Sequence, residues 1–217
     1  MTQTRQPLET LYVPADRFTR STVSEFGAEA LRLLGAHAAD ADAFVDAFRA
    51  PADVAERTRE RTLAKLERQP VEDLRVDFED GYGIREDDEE DRHAEEAARA
   101  VLEARGDSIA PRSLGLRVKS FDDETLEARS VRTLDRFLSV LVEDGAGLPA
   151  GPVVTFPKVT TPTQVERFAA ALAAMESKHG LPPGSLRFEV QVETPRSILG
   201  PDGAAAAPRM PPPGPDR

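Results

Sequence analysis

The chain has 217 residues, enough for one domain with a sizeable core, and its 40% hydrophobic content fits a soluble globular protein. A formal net charge of −11 argues against nucleic acid and anionic membrane surfaces as partners, because phosphate binding needs a basic face. There is no cysteine, which excludes disulfides, thiolate metal sites and cysteine nucleophiles and fits a cytoplasmic location.

Residues Met1 to Glu9 are polar and no signal-like apolar stretch follows them. No apolar run approaches the roughly 20 residues needed to span a bilayer. Leu11-Tyr12-Val13-Pro14 predicts a short strand stopped by proline. A mostly helical stretch follows, with Ala28, Leu31, Leu34 and Ala38 at helical spacing, and a second helix is expected over 53–68. Leu74 to Phe78 predicts a strand that runs into Glu79-Asp80-Gly81. The charge-dense stretch 85–96 reads as a solvated loop and helix start, its acids suited to a helix N-terminus. An Ala-rich helix then runs to Ala104. A strand at 114–119 and a helix over 123–141 come next, the helix striped by Leu126, Leu134, Phe137, Leu138 and Leu141. A strand at 152–159, a helix at 163–179 and a strand at 186–192 complete the pattern. Strands alternating with helices predict an α/β fold with a parallel sheet. Residues 1–200 form one such domain. Residues 201–217, rich in proline and alanine, predict a disordered tail.

The strand ends carry the chemistry. Asp77, Glu79 and Asp80 crowd one tip, where carboxylates repel unless a cation or donors compensate. Arg117 and Lys119 lie on the next tip, Lys158 on the one after, and Glu193 on the last. Ligands of α/β folds bind at such C-terminal strand ends. Acidic and basic tips meeting at one mouth would suit Mg²⁺ (or Mn²⁺) and a carboxylate-bearing substrate. Hard cations take oxygen ligands, and arginine grips carboxylates with two prongs. The segment 76–81 is not an EF-hand loop, and no phosphate-binding or dinucleotide glycine motif occurs. His37, His93 and His179 lack metal-ligand spacing and read as surface residues.

In this order the motifs resemble the HpcH/HpaI aldolase and citrate lyase β-subunit superfamily, a phosphoenolpyruvate/pyruvate-type TIM barrel. Leu11 to Arg17 is similar to its first strand and loop, and Val76-Asp77-Phe78-Glu79-Asp80-Gly81 to its acidic second-strand motif. Leu116-Arg117-Val118-Lys119 resembles the third-strand motif, and Phe156-Pro157-Lys158-Val159 the fourth. Val190-Gln191-Val192-Glu193-Thr194-Pro195 resembles the fifth.

The resemblance implies a partial (β/α)8 TIM barrel of about five βα units. It implies a Mg²⁺-dependent carbon–carbon lyase or aldolase acting on a 2-oxo acid or acyl-CoA-type carboxylate. Glu193 would be the metal ligand. Glu79 and Asp80 would act beside the metal, Arg117 would hold the substrate carboxylate and Lys158 would help bind it. The family's second metal ligand, after a sixth strand, has no counterpart, so a C-terminally truncated chain is expected. Its partner would be a small carboxylate, and the full-length barrel a homo-oligomer. The alternative is an inactive fragment or a non-enzymatic binding module on the same fold.

Overall fold

The computed structural model describes residues 6–143, 145, 147–149, 151–200 and 202–204. Strand β1 (Leu11–Pro14) leads into helices α1 (Thr22–His37), α2 (Ala41–Phe48) and α3 (Ala55–Arg68). From there strand and helix alternate: β2 (Asp73–Asp77), α4 (Asp87–Glu103), β3 (Ser113–Arg117), α5 (Glu124–Glu143), β4 (Val153–Phe156), α6 (Pro162–Lys178), β5 (Arg187–Val190) and the short α7 (Pro195–Ile198). All neighbouring strands pair in parallel, and their spatial order β1-β2-β3-β4-β5 is their order in the chain. The expected α/β class and parallel sheet are therefore present.

Register makes the two faces chemically different. Val13, Val76, Leu116, Val154 and Phe188 fall in one row across the five strands. All five are buried in the main core, against helical residues such as Ala97, Leu138 and Phe168. The next row, on the opposite face because side chains alternate, is Pro14, Asp77, Arg117, Thr155 and Glu189. One face is thus an apolar floor for the helices and the other is polar.

Local signals explain the helix starts. Asp40 accepts a hydrogen bond from the Ala43 N–H at 2.9 Å and caps α2. Thr161 and Gln164 form a capping box before Pro162 on α6. Asp87, Asp88, Glu89 and Glu90 occupy the first turn of α4, where the helix dipole favours negative charge. Phe168 of α6 stacks on Phe156 with ring centroids 4.2 Å apart, and Phe121 and Phe188 meet it edge-on.

Several boundaries differ from expectation. The first helical stretch is two helices, broken between Ala38 and Asp40, with a satellite core of Leu34, Ala38, Phe44 and Ala55 beneath them. Strand β4 is shorter than 152–159, because Pro157 cannot donate to the ladder and Lys158 has a left-handed backbone, φ 53°. Most of the tail expected to be disordered lies outside the described residues; Gly200 N–H donates to Ala204 O at 2.8 Å.

Gly115 is required where it stands. A Cβ there would lie 1.7 Å from the Val153 carbonyl oxygen. In register beside Arg75, it also leaves no side chain in the path of the Arg75 guanidinium. That group crosses β3 to donate to Thr155 Oγ1 at 3.1 Å and to Glu189 Oε1 at 3.2 Å, while also pairing with Asp73.

Candidate functional site

Strand β2 ends at Asp77, which is buried. Its carboxylate accepts four hydrogen bonds. The Glu79 and Gly81 N–H groups donate at 2.9 Å each, and Arg117 Nε and Nη2 donate at 2.7 Å each. Glycine at 81 permits this turn, since a Cβ would sit 2.7 Å from Asp77 Oδ2. The loop carrying Glu79 and Asp80 is therefore folded around Asp77. Arg117 lies over the Tyr12 ring, its guanidinium carbon 4.6 Å from the centroid. Only Nη1 points elsewhere, 3.5 Å from Gln191 Oε1 and 4.0 Å from Asp80 Oδ2.

Lys158 closes the other side. Its Nζ donates to Glu79 Oε1 and, at 2.6 Å, to Asp80 Oδ1. Its backbone N–H donates to Glu193 Oε1 at 2.9 Å, and Glu193 Oε2 accepts from Gln191 Nε2 at 3.2 Å. Of the seven strand-tip residues singled out from the sequence, Asp77, Glu79, Asp80, Arg117, Lys158 and Glu193 thus belong to one connected group at the C-terminal ends of β2 to β5, whereas Lys119 turns to the Phe78 carbonyl and Glu90. Lys158, two residues beyond β4, reaches the β2 tip past β3, so these ends converge on one mouth.

Charge in this mouth is unbalanced. Among the described residues, Arg117 and Lys158 pair with Asp77, Glu79 and Asp80, Glu193 accepts from the Lys158 amide, and the Lys119 charge also acts on Glu79. Burial raises the Glu79 pKa; Lys158 opposes this and the nearby Asp80 charge adds to it. The Lys158 hydrogen bond holds the Asp80 carboxyl below its usual range, against some burial. Burial disfavours the charged forms of Arg117 and Lys158, but their carboxylate partners outweigh it and both pKa values rise.

The whole chain, residues 1–217, matches the sequence model of a family described as a domain of unknown function (DUF6986). The chain belongs to the DUF6986 family. No curated protein matches it.

The expected metal can be tested against this DUF6986 site. The donors are of the right kind, hard carboxylate oxygens. Glu79 Oε2 is buried and accepts no hydrogen bond from the described residues, which leaves an oxygen a cation could take. Yet the Lys158 ammonium stands between Glu79 and Asp80, and Glu193 is turned to the Lys158 amide. Among the described residues, no group of three or more His, Asp or Glu is arranged to hold a metal ion. The donor chemistry fits, with Lys158 in the cation's place. A cleft of about 640 Å³ opens at the other end of the strands, lined by Asp73, Arg112, Arg187 and Glu189. Its size does not make it the site, because reactive groups in such folds gather at the C-terminal strand ends.

Beneath the acidic loop lies a network of which the sequence reading picked out only Lys119. Lys119 Nζ donates to the Phe78 carbonyl at 2.6 Å and pairs with Glu90 at 3.0 Å. Glu90 also accepts from Thr133 Oγ1 at 2.6 Å and Arg129 Nη1 at 3.1 Å. Burial lowers the Lys119 pKa and Glu90 opposes it. Tyr82 Oη lies 2.8 Å from His93 Nδ1, and burial raises the tyrosine's pKa. His93 is therefore not a surface residue: it is 8% exposed. His179 is also tied down, with Nε2 2.8 Å from Asp135 Oδ1, while His37 is exposed as expected. Nor is the charge of 85–96 merely solvated. Asp87 and Asp91 pair with Arg129, Arg132 and Arg136 of α5. The missed signal is helical spacing: Glu90 and His93 continue the buried stripe Ala94, Ala97, Ala98, Val101 back toward the N-terminus.

Proposed function

We propose that this protein is a divalent-metal-dependent carbon–carbon lyase or aldolase, built as part of a (β/α)8 barrel and acting on a 2-oxo acid or acyl-CoA-type carboxylate. One observation carries the reading. Acidic and basic groups from the C-terminal ends of β2, β3, β4 and β5 form a single hydrogen-bonded mouth. Glu193, with Glu79 and Asp80 in support, would hold Mg²⁺ or Mn²⁺. When bound, the metal would polarise the substrate's 2-oxo group and stabilise the negative charge that cleavage leaves behind. Arg117 would present Nη1, the donor that Asp77 does not use, to the substrate carboxylate. Asp77 and Tyr12 would fix the orientation of that guanidinium. Lys158 would add a second cation for the same carboxylate. In this reading the protein is cytoplasmic and its partner is a small carboxylate, neither nucleic acid nor a membrane. The last point is supported by the charge of −11 and by the described residues, none of whose helices is long and apolar enough to cross a membrane.

The test is a retro-aldol and acyl-CoA cleavage screen of the full chain with Mg²⁺ and with EDTA. Turnover that EDTA abolishes, and that Glu193→Ala lowers by about 10–100-fold, is the expected result. Metal-independent turnover, or none in wild type and variant alike, would sink the proposal. A second reading, a non-enzymatic binding module, is favoured by the internal pairing of the same groups: Asp77 holds Arg117, and Glu79 and Asp80 hold Lys158. Carboxylate binding without turnover would support it.

A further inference from the structure

We infer that Lys158 is a tethered cation that occupies the metal position between Glu79 and Asp80, so that a divalent ion binds only as the ammonium swings out. The inference rests on the metal reading above and adds to it a competitor built into the chain.

Four observations carry it. The Lys158 Nζ contacts both carboxylates. One ammonium neutralises half of that pair, and the Arg117 guanidinium, 4.0 Å from Asp80 Oδ2, is already paired with Asp77; a dication would neutralise the pair by itself. Glu79, with a side chain only 10% exposed, keeps a buried Oε2 that no donor among the described residues reaches. A lysine point charge placed on Oε1 does not satisfy that second oxygen, while a hard cation binding the carboxylate edge would. The Lys158 backbone has φ 53°, an unfavourable conformation for a non-glycine residue, and is held there by Glu193. Backbone strain of this kind gathers at sites that bind or switch. Finally, the lysine side chain is 31% exposed, so its flexible stem has a path to solvent without backbone movement. Displacement would also free the ammonium for an incoming carboxylate, giving an order of metal first and substrate second.

The test uses Mn²⁺ alone, titrated into the full chain and followed by loss of the free-ion electron paramagnetic resonance signal. Lys158→Gly removes the ammonium and suits the positive φ, and its fold is checked by circular dichroism before titration. It should bind Mn²⁺ at least about tenfold tighter than wild type, since a unit positive charge is removed from within contact distance of the ligands. Lys158→Arg should show no gain, and Glu79→Gln added to Lys158→Gly should abolish the gain. Lys158→Met, checked for an unchanged melting temperature, guards against a glycine-specific effect. If wild type binds Mn²⁺ and Lys158→Gly binds no tighter, this inference alone fails. It also fails if the gain survives Glu79→Gln. If neither protein binds Mn²⁺, the metal reading falls with it.

Discussion

Replacing Asp77 with alanine is the most demanding test of how the mouth is held. The substitution removes an acceptor of four hydrogen bonds and strands Arg117 beside a buried gap. Breaking a buried ion pair from one side costs about 3–5 kcal/mol. The Glu79 and Gly81 amides lie nearer solvent, so water replaces their partner and each adds only about 0.5–1 kcal/mol. The sum, about 4–7 kcal/mol, approaches the whole stability of a typical domain, about 5–15 kcal/mol. Arg117→Met should cost less, because Asp77 keeps its two backbone donors. The double variant should cost less than the two single changes added together, by more than about 1 kcal/mol. Urea unfolding followed by circular dichroism, with all four proteins measured at pH 7, reads these numbers. An Asp77→Ala cost below about 1.5 kcal/mol, or strict additivity, would refute the claim that Asp77 organises both the loop and Arg117.

The same reasoning gives three further expectations. Gly115→Ala should destabilise by about 1–3 kcal/mol or more, since the new methyl meets the Val153 backbone rather than a side chain that can turn away; an unchanged urea midpoint would contradict this. Glu90→Ala should cost about 3–5 kcal/mol and lower the melting temperature by roughly 6–20 °C, because Lys119 and Arg129 lose their shared carboxylate; a loss of under about 2 °C in a thermal melt would show the network to be idle. Glu79 and Asp80 should respond to pH with opposite sign. Glu79 has a raised folded pKa, so its contribution is fully present below its ordinary 4.5 and is lost as pH rises through the folded value. Asp80 has a lowered one, so its contribution is present above its ordinary 3.8 and is lost as pH falls through the folded value. Between pH 7 and 3, wild type should therefore gain on Glu79→Gln and lose to Asp80→Asn as the solution is acidified; equal trends in urea midpoints would refute the assignment.

The strands were legible because Leu74, Val76 and Phe78 alternate with polar residues, and because Leu116 and Val154 repeat the pattern. The strand tips were legible as sites because their side chains do not suit a core. What compensates the acidic tip was not. The sequence called for a cation or donors beside Asp77, Glu79 and Asp80 without saying which residues contribute; Arg117 and Lys158 pair with those carboxylates. That pairing joins residues 40 and 78 positions apart, and no local pattern encodes such a distance. Charge density hid Glu90 and His93. Their buried spacing was readable in principle, but acids in the first helical turn are usually solvated and that rule obscured the stripe.

The bare Gly115 backbone has a mechanical consequence for the sheet. Through the gap it leaves, Arg75 links β2 directly to Glu189 on β5, the last strand, and to Thr155 on the way. The guanidinium is a chord drawn across an arc. Flattening the sheet would stretch it and tighter curling would buckle it. An edge strand of four residues would ordinarily fray alone, but β5 cannot leave without exposing the buried charge of Arg75 on β2. Loss of β5 is therefore coupled to β2, and the link that runs below the mouth matches the Lys158 link from β4 to the β2 tip within it.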